Sequence, residues 1–596
     1  MPVQMNVFTI FKRLLRYLGQ YKYFYLLAVV FMLSRKGAHV AMTNMLKPII
    51  NGLATDPNYQ ELVKQCIVLA LLGLIVAISH LICNQLLISV SLKTSSHLRT
   101  ELFKHMQKLP LSYFHKHDTG FILSTYVNDI VQVDSVIADT SAGLIESIIT
   151  IVLIVAVMLS QSLVLTVVAL LTSLASVLLT WFVARKGLMS FSQRQAEFAQ
   201  LSSLAEESIA GRQELKLFAK EAEQALKLAE KSTRVKQITT KAGILGSLPI
   251  PLNTLTALLQ QLIILGFGSY CLVTGSFNLD LGTLVVFMRL SANFADPMIL
   301  LSTISSMLLS ALASTERIFR MLDSKAEQDL GTFTYQVQEK KNCWCKGAES
   351  IPAQGAIVFK DVQFSYVADK PVIRNLSFVA EPKQTIALIG STGSGKSTVL
   401  NLLNRFYAVN QGAITIDGIS VSSIKQDSLH QAIAMVMQEV HLFQGTIAEN
   451  IRFGKLDATR EEIERAAKLA HAHQFISKLP GGYDFELTAD GQNISLGQRQ
   501  LISIARATIK DPLILVLDEA TSSVDTYTER CISQGLAQLM KRCTVLVVAH
   551  RLATVRGADQ ILVLDQGEVI ERGTHSELLA KRGFYYHLEQ GDFELS

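Results

Sequence analysis

The sequence predicts a multidomain membrane protein, in which an all-α half with about six membrane-spanning helices precedes an α/β domain. The chain has 596 residues, too many for a single hydrophobic core. It is 49% hydrophobic and only 18% charged, and its mean hydropathy is +0.32. The long apolar stretches crowd the first half, whereas the second half has the composition of an ordinary α/β domain.

Charge and cysteine content exclude some classes of function. The net charge of +5 is modest for this length, so we expect loop charge and no nucleic-acid partner. The seven cysteines are scattered, and Cys343 and Cys345 are too close together for a zinc-binding CxxC pair. Because no disulfide framework is expected, the α/β half is assigned to a reducing compartment.

The apolar stretches predict the membrane spans, since a spanning helix needs about 20 mostly apolar residues. The connections inside each successive pair of spans are short and nearly free of Lys and Arg, and the other connections are long and basic. Basic loops stay in the cytoplasm, so we expect a multi-pass protein whose N-terminus and C-terminal domain are both cytoplasmic. The predicted spans are residues 22–48, 64–90, 138–160, 163–184, 247–274 and 281–310.

The two long basic connections keep a helical period without strong breakers. They predict helices that continue past the bilayer, with turns near residues 112–120 and 206–212. A short helix at each turn would be placed to dock on a cytoplasmic domain.

Charged and titratable residues inside the predicted spans are candidates for function. Each costs about 2.5–3.5 kcal/mol at the middle of a bilayer, so such residues usually face a partner or a cavity. They could pair with one another, Arg35 or Lys36 with Glu146 and Arg289 with Asp296. Alternatively, Arg35 and Lys36 could contact an anionic, for example phosphorylated, cargo. The positions concerned are Arg35, Lys36, His39, Glu146, Arg289 and Asp296.

A glycine-rich loop follows a buried strand in the second half. Residues 385–389 read TIALI, residues 390–397 read GSTGSGKS, and an apolar helix follows. This is the strand–loop–helix context of a phosphate-binding loop, whose glycines turn backbone N–H groups toward the phosphates. Lys396 would reach the β- and γ-phosphates of ATP, and Ser397 would hold Mg²⁺. The predicted nucleotide contacts are Gly390, Ser391, Thr392, Gly393, Ser394, Gly395, Lys396, Ser397 and Thr398.

Two later strands end in residues that suit phosphate hydrolysis. The apolar strand 513–517 leads into Asp518, which is placed to bind Mg²⁺ through its water shell, and Glu519. Glu519 can accept a proton from the attacking water. The strand 544–548 leads to His550, which could contact the γ-phosphate and hold that water.

Between the phosphate loop and the acidic strand, residues 494–500 read ISLGQRQ. This segment resembles the LSGGQ signature of ATP-binding cassette (ABC) proteins. The resemblance implies nucleotide contacts from Ser495, Gly497 and Gln498. It also implies adenine stacking by Tyr366 and a Q-loop role for Gln438, which would touch Mg²⁺ and take part in catalysis. With a D-loop at Val524 and Asp525, the motif order is that of an ABC exporter subunit, a six-helix transmembrane domain followed by an α/β P-loop nucleotide-binding domain.

Other segments resemble the bacterial lipid A exporters of the MsbA type. They are LKPII at 46–50, the SYF…TG turn at 112–120, HLFQGTIAENI at 441–451 and ERGTHSELL at 571–579. The likeness implies a homodimer in the bacterial inner membrane that uses ATP and Mg²⁺ to export lipid A or lipopolysaccharide core. A multidrug or peptide exporter and the regulatory half of a heterodimeric exporter stay open as alternatives.

Three departures from the family pattern are visible. Leu496 replaces the first signature glycine, Ala489 stands where exporters usually have glutamate, and Ser523 replaces the usual D-loop alanine. We expect the transmembrane domain at residues 1–324, an irregular polar linker at 325–355 and the nucleotide-binding domain at 356–596.

Overall fold

The structure is a computed structural model that describes residues 7–55, 59–275, 277, 279–338, 341–367, 369–518, 525–549 and 555–590. The chain divides into two compact units. The first comprises Met1–Leu109 and His117–Lys325, and the second comprises Ala326–Ser596 together with the short segment Pro110–Lys116.

Helices joined by short turns make up the described part of the first unit. Two π-helical turns, Thr125–Asp129 and Val136–Thr140, join three of its helices into one continuous stretch. In chain order, with α5 belonging to the second unit, the helices are α1 (Val7–Gly19), α2 (Lys22–Asn44), α3 (Leu46–Thr55), α4 (Tyr59–Met106), α5 (Leu111–Lys116), α6 (Thr119–Ser124), α7 (Ile130–Ser135), α8 (Ser141–Gln161), α9 (Leu163–Ala210), α10 (Arg212–Leu217), α11 (Glu221–Ser247), α12 (Pro249–Val273) and α13 (Leu281–Leu322).

The apolar helices lie where the spans are predicted. By length and composition, four helical stretches in the described part of the chain could cross a membrane, and two shorter apolar segments accompany them. Leu81, Leu171 and Leu262 on these helices are 70%, 63% and 63% exposed, as expected of side chains that face lipid. The four long stretches are Lys22–Ala54, Tyr59–Met106, Thr119–Gln161 and Glu221–Val273, and the shorter ones are Leu163–Leu179 and Leu281–Phe294.

Buried apolar side chains and one ion pair hold the helices together. Ile154, Leu165 and Phe287 share a core between α8, α9 and α13. Farther along α13, Arg317 forms a two-pronged salt bridge with the buried Asp129 of the first π-helical turn, at 2.6 and 2.8 Å. Both kinds of contact tie α13 to helices that precede it in the chain.

A short helix lies at the predicted turn near 112–120, whereas at the second predicted turn, 206–212, α9 continues to Ala210 and the short helix follows it. One is α5, Leu111–Lys116, and the other is α10, Arg212–Leu217. Contacts assign α5 to the second unit, although the chain on either side of it belongs to the first. The hydrophobic residues Leu217 and Phe218, at the end of α10, are 79% and 70% exposed.

The second unit is built on a mostly parallel six-stranded sheet of order β15-β14-β6-β13-β12-β9, beside a four-stranded antiparallel sheet of order β5-β4-β7-β8. The strands are β1 (Thr334–Gln338), β2 (Lys341–Lys346), β3 (Glu349–Pro352), β4 (Ile357–Phe364), β5 (Ile373–Ala380), β6 (Thr385–Gly390), β7 (Gln411–Ile416), β8 (Ile419–Ser420), β9 (Ile433–Val436), β10 (Gly445–Thr446), β11 (Glu486–Leu487), β12 (Ile514–Asp518), β13 (Thr544–Val548), β14 (Gln560–Asp565) and β15 (Glu568–Gly573).

Helices cover the parallel sheet, whose strands β6, β12, β13 and β14 are almost fully buried, as is usual for parallel sheets. The helices are α14 (Lys396–Leu403), α15 (Gln426–Ala432), α16 (Ile447–Arg452), α17 (Arg460–Leu469), α18 (His473–Ile476), α19 (Leu496–Ile509), α20 (Thr526–Met540), α21 (His575–Lys581) and α22 (Phe584–Gln590), with 3-10 turns at Val421–Ser423, Gly482–Asp484 and Ala489–Gly491.

The expectation of an irregular segment at 325–355 is wrong, because strands β1, β2 and β3 form an antiparallel sheet there. Trp344 anchors this sheet: it is fully buried, packs on Tyr335, and its Nε1 donates to Oδ2 of Asp417 at 2.9 Å. The same carboxylate accepts hydrogen bonds from the backbone N–H groups of residues 354–356. One buried aromatic side chain and one shared carboxylate therefore order a segment whose composition is polar.

Candidate functional site

Parallel strands bring the predicted site residues to one edge of the main sheet. In the order β6, β13, β12, β9, each strand runs parallel to its neighbour. The phosphate loop follows β6, Asp518 ends β12, and Gln438 comes shortly after β9. Open α/β sheets bind ligands at the carboxyl ends of their strands, so segments far apart in sequence meet here.

The phosphate loop requires glycine at two positions for steric reasons. Gly390 has a φ of 149°, and a Cβ there would lie 2.0 Å from the carbonyl oxygen of Leu564. Gly395 has a φ of 102°, and a Cβ there would lie 2.6 Å from Cδ1 of Ile373. Backbone contact excludes a side chain at Gly390, and the positive φ at both positions strains any other residue, so glycine lets the backbone turn tightly between β6 and α14.

Lys396 is held inside the loop by backbone acceptors. It is 7% exposed, and its Nζ donates to the carbonyl oxygens of Gly390 at 2.8 Å and Ser391 at 2.9 Å. Burial lowers the pKa of Lys396, and the carboxylate of Asp518 opposes that shift. The ammonium group is therefore positioned within the loop and within electrostatic reach of the acidic strand end.

Helix α14 begins in the phosphate loop, so its N-terminal N–H groups lie beside Lys396. Gly395 is its cap residue and supplies no side-chain hydrogen bond. The first N–H groups of a helix have no partner inside it, and they attract anions. The buried Ser394 hydroxyl has no hydrogen-bond partner among the described residues. This set of N–H, O–H and ammonium donors fits the phosphates of a nucleotide.

The other predicted loop residues divide by exposure. Ser391, Thr392, Gly393 and Ser397 are exposed, and Thr398 is buried. Gln438 is exposed and Asp518 is partly buried. Ser397, Gln438 and Asp518 carry oxygen donors, the ligands that Mg²⁺ prefers.

Tyr366 lies just after β4 and beside the start of α14. Its hydroxyl donates to Oγ1 of Thr398 at 3.2 Å, and its ring meets Phe364 and Tyr407 edge-on, with centroids 4.8 and 4.9 Å away. The residue is still 40% exposed, so part of the ring is open to a further stacking partner. The predicted adenine platform is thus linked to the helix that follows the phosphate loop.

Two predicted catalytic residues, Glu519 and His550, lie outside the described residues, as do Ser523 and Val524. The strands that lead to the first two are described. Asp518 at the end of β12 is in register with Val548 at the end of β13.

The signature segment starts helix α19. Ser495 is the cap residue, and its Oγ accepts from the N–H of Gln498 at 3.3 Å while Oε1 of Gln498 accepts from the N–H of Ser495 at 3.0 Å. Leu496 is the first residue of the helix and is partly buried, and Gly497 is buried. The cap uses the serine oxygen as an acceptor and leaves its hydroxyl proton available for a ligand.

Asp490 follows Ala489 directly and makes contacts on both sides. It has a φ of 56°, and its Oδ1 lies 3.1 Å from Nδ1 of His441. Arg499 of α19 donates to its carbonyl oxygen at 3.1 Å. The segment before the signature is thereby joined both to α19 and to the segment after Gln438.

Sequence reasoning missed Tyr407 and the pair Arg506 and Asn450. Arg506 of α19 donates to the carbonyl oxygens of Asn450 at 2.9 Å and His441 at 3.1 Å, and to Oδ1 of Asn450 at 3.0 Å. Burial lowers the pKa of Arg506. The aromatic run Phe406-Tyr407, which begins three residues after α14 ends at Leu403, was a local signal for Tyr407.

In the membrane unit, Arg35 and Lys36 both pair with Glu146, with Lys36 Nζ 2.7 Å from Oε1. Arg35 also contacts Nδ1 of His80, and its Nε is buried without a hydrogen-bond partner among the described residues. The first predicted pairing is therefore present with both cations. The second involves Asp296, whose side chain lies outside the description, and stays a prediction.

Comparison with known proteins identifies both halves of the chain. Residues 25–298 match the family described as the ABC transporter transmembrane region, and residues 373–522 match the family described as ABC transporter. The ABC transporter ATP-binding protein YfiC of Bacillus subtilis is 38% identical over 93% of this chain and 90% of its own length. The ATP-dependent lipid A-core flippase of Pasteurella multocida is 34% identical over 97% of both chains.

A further relative and a solved structure also match most of this chain. The fatty acid ABC transporter ATP-binding/permease protein of Mycobacterium tuberculosis is 38% identical over 83% of this chain and 76% of its own length. The solved structure of a bacterial Atm1-family ABC exporter with ATP bound matches at a TM-score of 0.75 and 27% identity, over 95% of this chain and 97% of that one. The predicted fold class is confirmed. The chain therefore belongs to the ABC transporter family, as an exporter subunit that fuses a helical membrane domain to an α/β domain hydrolysing ATP to drive transport.

Proposed function

We propose that this chain exports an anionic lipid across the bacterial inner membrane, with lipid A or lipopolysaccharide core as the first candidate. Residues 1–324 would form the membrane domain and residues 356–596 the main part of the nucleotide-binding domain, with the sheet β1–β3 belonging to the same unit as the latter. The N-terminus and the nucleotide-binding domain face the cytoplasm in this proposal, since the basic connections lie on that side.

The nucleotide site is assigned from the donors at the sheet edge. Mg²⁺, when bound, neutralises negative charge on the β- and γ-phosphates of the substrate ATP. Ser397, Gln438 and Asp518 supply oxygen ligands for that ion. The phosphates are bound by the loop N–H groups, Lys396 and the hydroxyls around it, while Tyr366 orients the base. Glu519 accepts the proton of the attacking water and His550 contacts the γ-phosphate.

The observation that carries the cargo class is the surplus of positive charge beside Glu146. Two cations, Arg35 and Lys36, share this single carboxylate, so these three side chains keep one net positive charge. Charges inside membrane spans are expensive and are usually balanced by a partner. An anionic group of the cargo would supply that balance, and the buried Nε of Arg35 is a donor for it.

The names of the relatives support a lipid without deciding which one. Several are lipid A-core flippases, and others are fatty acid transporters at similar identity. Both kinds of cargo join acyl chains to an anionic group, which is the chemistry that Arg35 and Lys36 would recognise.

The test is ATPase activity of the purified full chain in lipid nanodiscs, titrated with lipid A, a long-chain fatty acid or a cationic drug. We expect lipid A to stimulate Mg²⁺-dependent turnover. In Arg35→Ala with Lys36→Ala, half-maximal stimulation should need at least about tenfold more lipid, since hydrogen bonds to charged groups are lost.

Two controls make this test specific. Lys64→Ala removes an exposed lysine of the same unit that pairs with Glu61, and it should leave the response unchanged. Glu519→Gln should abolish turnover and so exclude a contaminating ATPase. An unchanged lipid response in the double variant would remove Arg35 and Lys36 from the cargo site, and stimulation by the cationic drug alone would favour a multidrug exporter.

A further inference from the structure

Three aromatic rings connect the proposed adenine platform with helix α5. Tyr407 meets Tyr366 edge-on, with ring centroids 4.9 Å apart and an interplanar angle of 90°. Tyr407 also stacks on His115 of α5, with centroids 6.0 Å apart and an angle of 21°, and its hydroxyl is hydrogen-bonded to Nδ1 of that histidine. All three residues belong to the second unit, so one side chain joins the base platform to α5.

The orientation of Tyr366 is set by two perpendicular neighbours. Phe364 and Tyr407 meet its ring at 86° and 90°, and they also contact each other with centroids 5.6 Å apart. The hydroxyl of Tyr366 is held by Thr398 at 3.2 Å. Tyr407 is therefore one of the side chains that hold the Tyr366 ring in place.

Tyr407 is itself held on two sides. It is partly buried, and burial raises the pKa of its phenol, so the hydroxyl stays protonated beside Nδ1 of His115. Rotation of its ring would break the edge contact with Tyr366 and the hydrogen bond to His115 together. A displacement of Tyr366 or of His115 would therefore move Tyr407 and, with it, the other of the two residues.

Helix α5 is joined by the chain to the membrane unit at both ends. It follows α4, which ends at Met106, and precedes α6, which begins at Thr119. The chain therefore enters α5 from one helix of the first unit and leaves it toward another, and His115 is one of its six residues.

We propose that Tyr407 is a positioning residue for ATP. Its ring holds the Tyr366 ring in the orientation that stacks on the adenine base. Because its hydroxyl is hydrogen-bonded to His115, that orientation depends on the position of α5. The inference rests on the proposed role of Tyr366 as the adenine platform. Coupling of this kind is reciprocal, so nucleotide binding would in turn stabilise the position of α5 in the second unit.

The first experiment measures KM for ATP and kcat of the full chain in nanodiscs. Tyr407→Ala should raise KM about threefold to tenfold, the change equivalent to one aromatic pair. The phosphate contacts are untouched, so kcat at saturating ATP should stay within about twofold. Tyr407→Leu, which keeps bulk in the core, should behave in the same way and replaces the alanine variant if that fails to fold.

The second experiment tests the link to α5 by a double-mutant cycle. Tyr407→Phe keeps the ring and removes the hydroxyl, and His115→Ala removes its partner. Each substitution should raise KM about twofold to threefold, because the free energy lost is a part of that contributed by one hydrogen bond. The double variant should match either single one. His117→Ala is the matched control, because it removes a neighbouring histidine ring that stacks on Phe121.

The outcomes separate this inference from the adenine platform itself. If Tyr366→Ala leaves KM unchanged, the proposed base site is wrong. If Tyr366→Ala raises KM while Tyr407→Ala and Tyr407→Leu do not, Tyr407 only fills space. The coupling to α5 would be overturned if KM of the double variant rose by the product of the Tyr407→Phe and His115→Ala effects. It would also be overturned if these variants changed kcat alone.

Discussion

Leu496 stands at the position of the first signature glycine, and its backbone conformation explains why a side chain fits there. It is the first residue of α19 and is not among the residues of positive φ. A helical backbone carries no penalty for a non-glycine residue. The reciprocal hydrogen bonds of Ser495 and Gln498 close the helix start without using the residue between them. The departure therefore adds an isobutyl group and leaves the fold of the turn intact.

Replacement of Leu496 by glycine tests this interpretation. Glycine in a helix costs about 0.5–1 kcal/mol relative to alanine, and the capping bonds remain. We expect Leu496→Gly to change the ATPase kcat of the full chain by less than about twofold, measured at saturating ATP in nanodiscs. A tenfold rise would mean that the leucine obstructs the nucleotide site, and a loss of expression would mean that its packing is needed for folding.

At the scale of elements, sequence patterns predicted those structures that depend on residues close together in the chain. The phosphate loop follows from a strand, three glycines and a lysine within fourteen residues, 385–398. The short helices α5 and α10 lie in or directly after the turns that helical periodicity predicted. The sheet β1–β3 and the ring of Tyr407 were not predictable in this way. Their order comes from contacts with Asp417 and Tyr366, which are distant in sequence, so neither composition nor periodicity reports them.

Substitution of Trp344 tests how much the sheet β1–β3 contributes to the stability of the second unit. Trp344→Ala removes a fully buried side chain, which typically costs about 3–5 kcal/mol, so the Tm of the second unit should fall by on the order of 10 °C. Trp344→Phe keeps most of the volume and loses the bond to Asp417, so about a third of that fall is expected. Thermal unfolding of the full chain, followed by circular dichroism, measures both.

The control for this sheet is Val337→Ala, because Val337 is 66% exposed on β1 and should leave the Tm nearly unchanged. If Trp344→Ala also leaves it unchanged, the segment 325–355 does not contribute to the stability of the unit and acts as a mere connection.

At the scale of the whole molecule, the chain carries a phosphate loop and a signature segment in one nucleotide-binding domain. In the proposed homodimer, two-fold symmetry makes two equivalent sites. Each site would take Lys396 from one subunit and Ser495 from its partner. In the alternative heterodimer, the second subunit would be another protein, and this chain alone would not turn over ATP.

Mixing two inactive variants decides between these assemblies. Lys396→Ala disables the phosphate loop but keeps the signature, and Ser495→Arg blocks the signature but keeps the phosphate loop. Each variant alone should be inactive in a homodimer. Co-expressed in equal amounts, half of the dimers are mixed and each has one intact site, so about a quarter of the wild-type ATPase rate should return if the two sites act independently. Sites that both belong to one subunit would give no recovery, and a wild-type chain that is inactive alone but active with a second encoded subunit would establish the heterodimer.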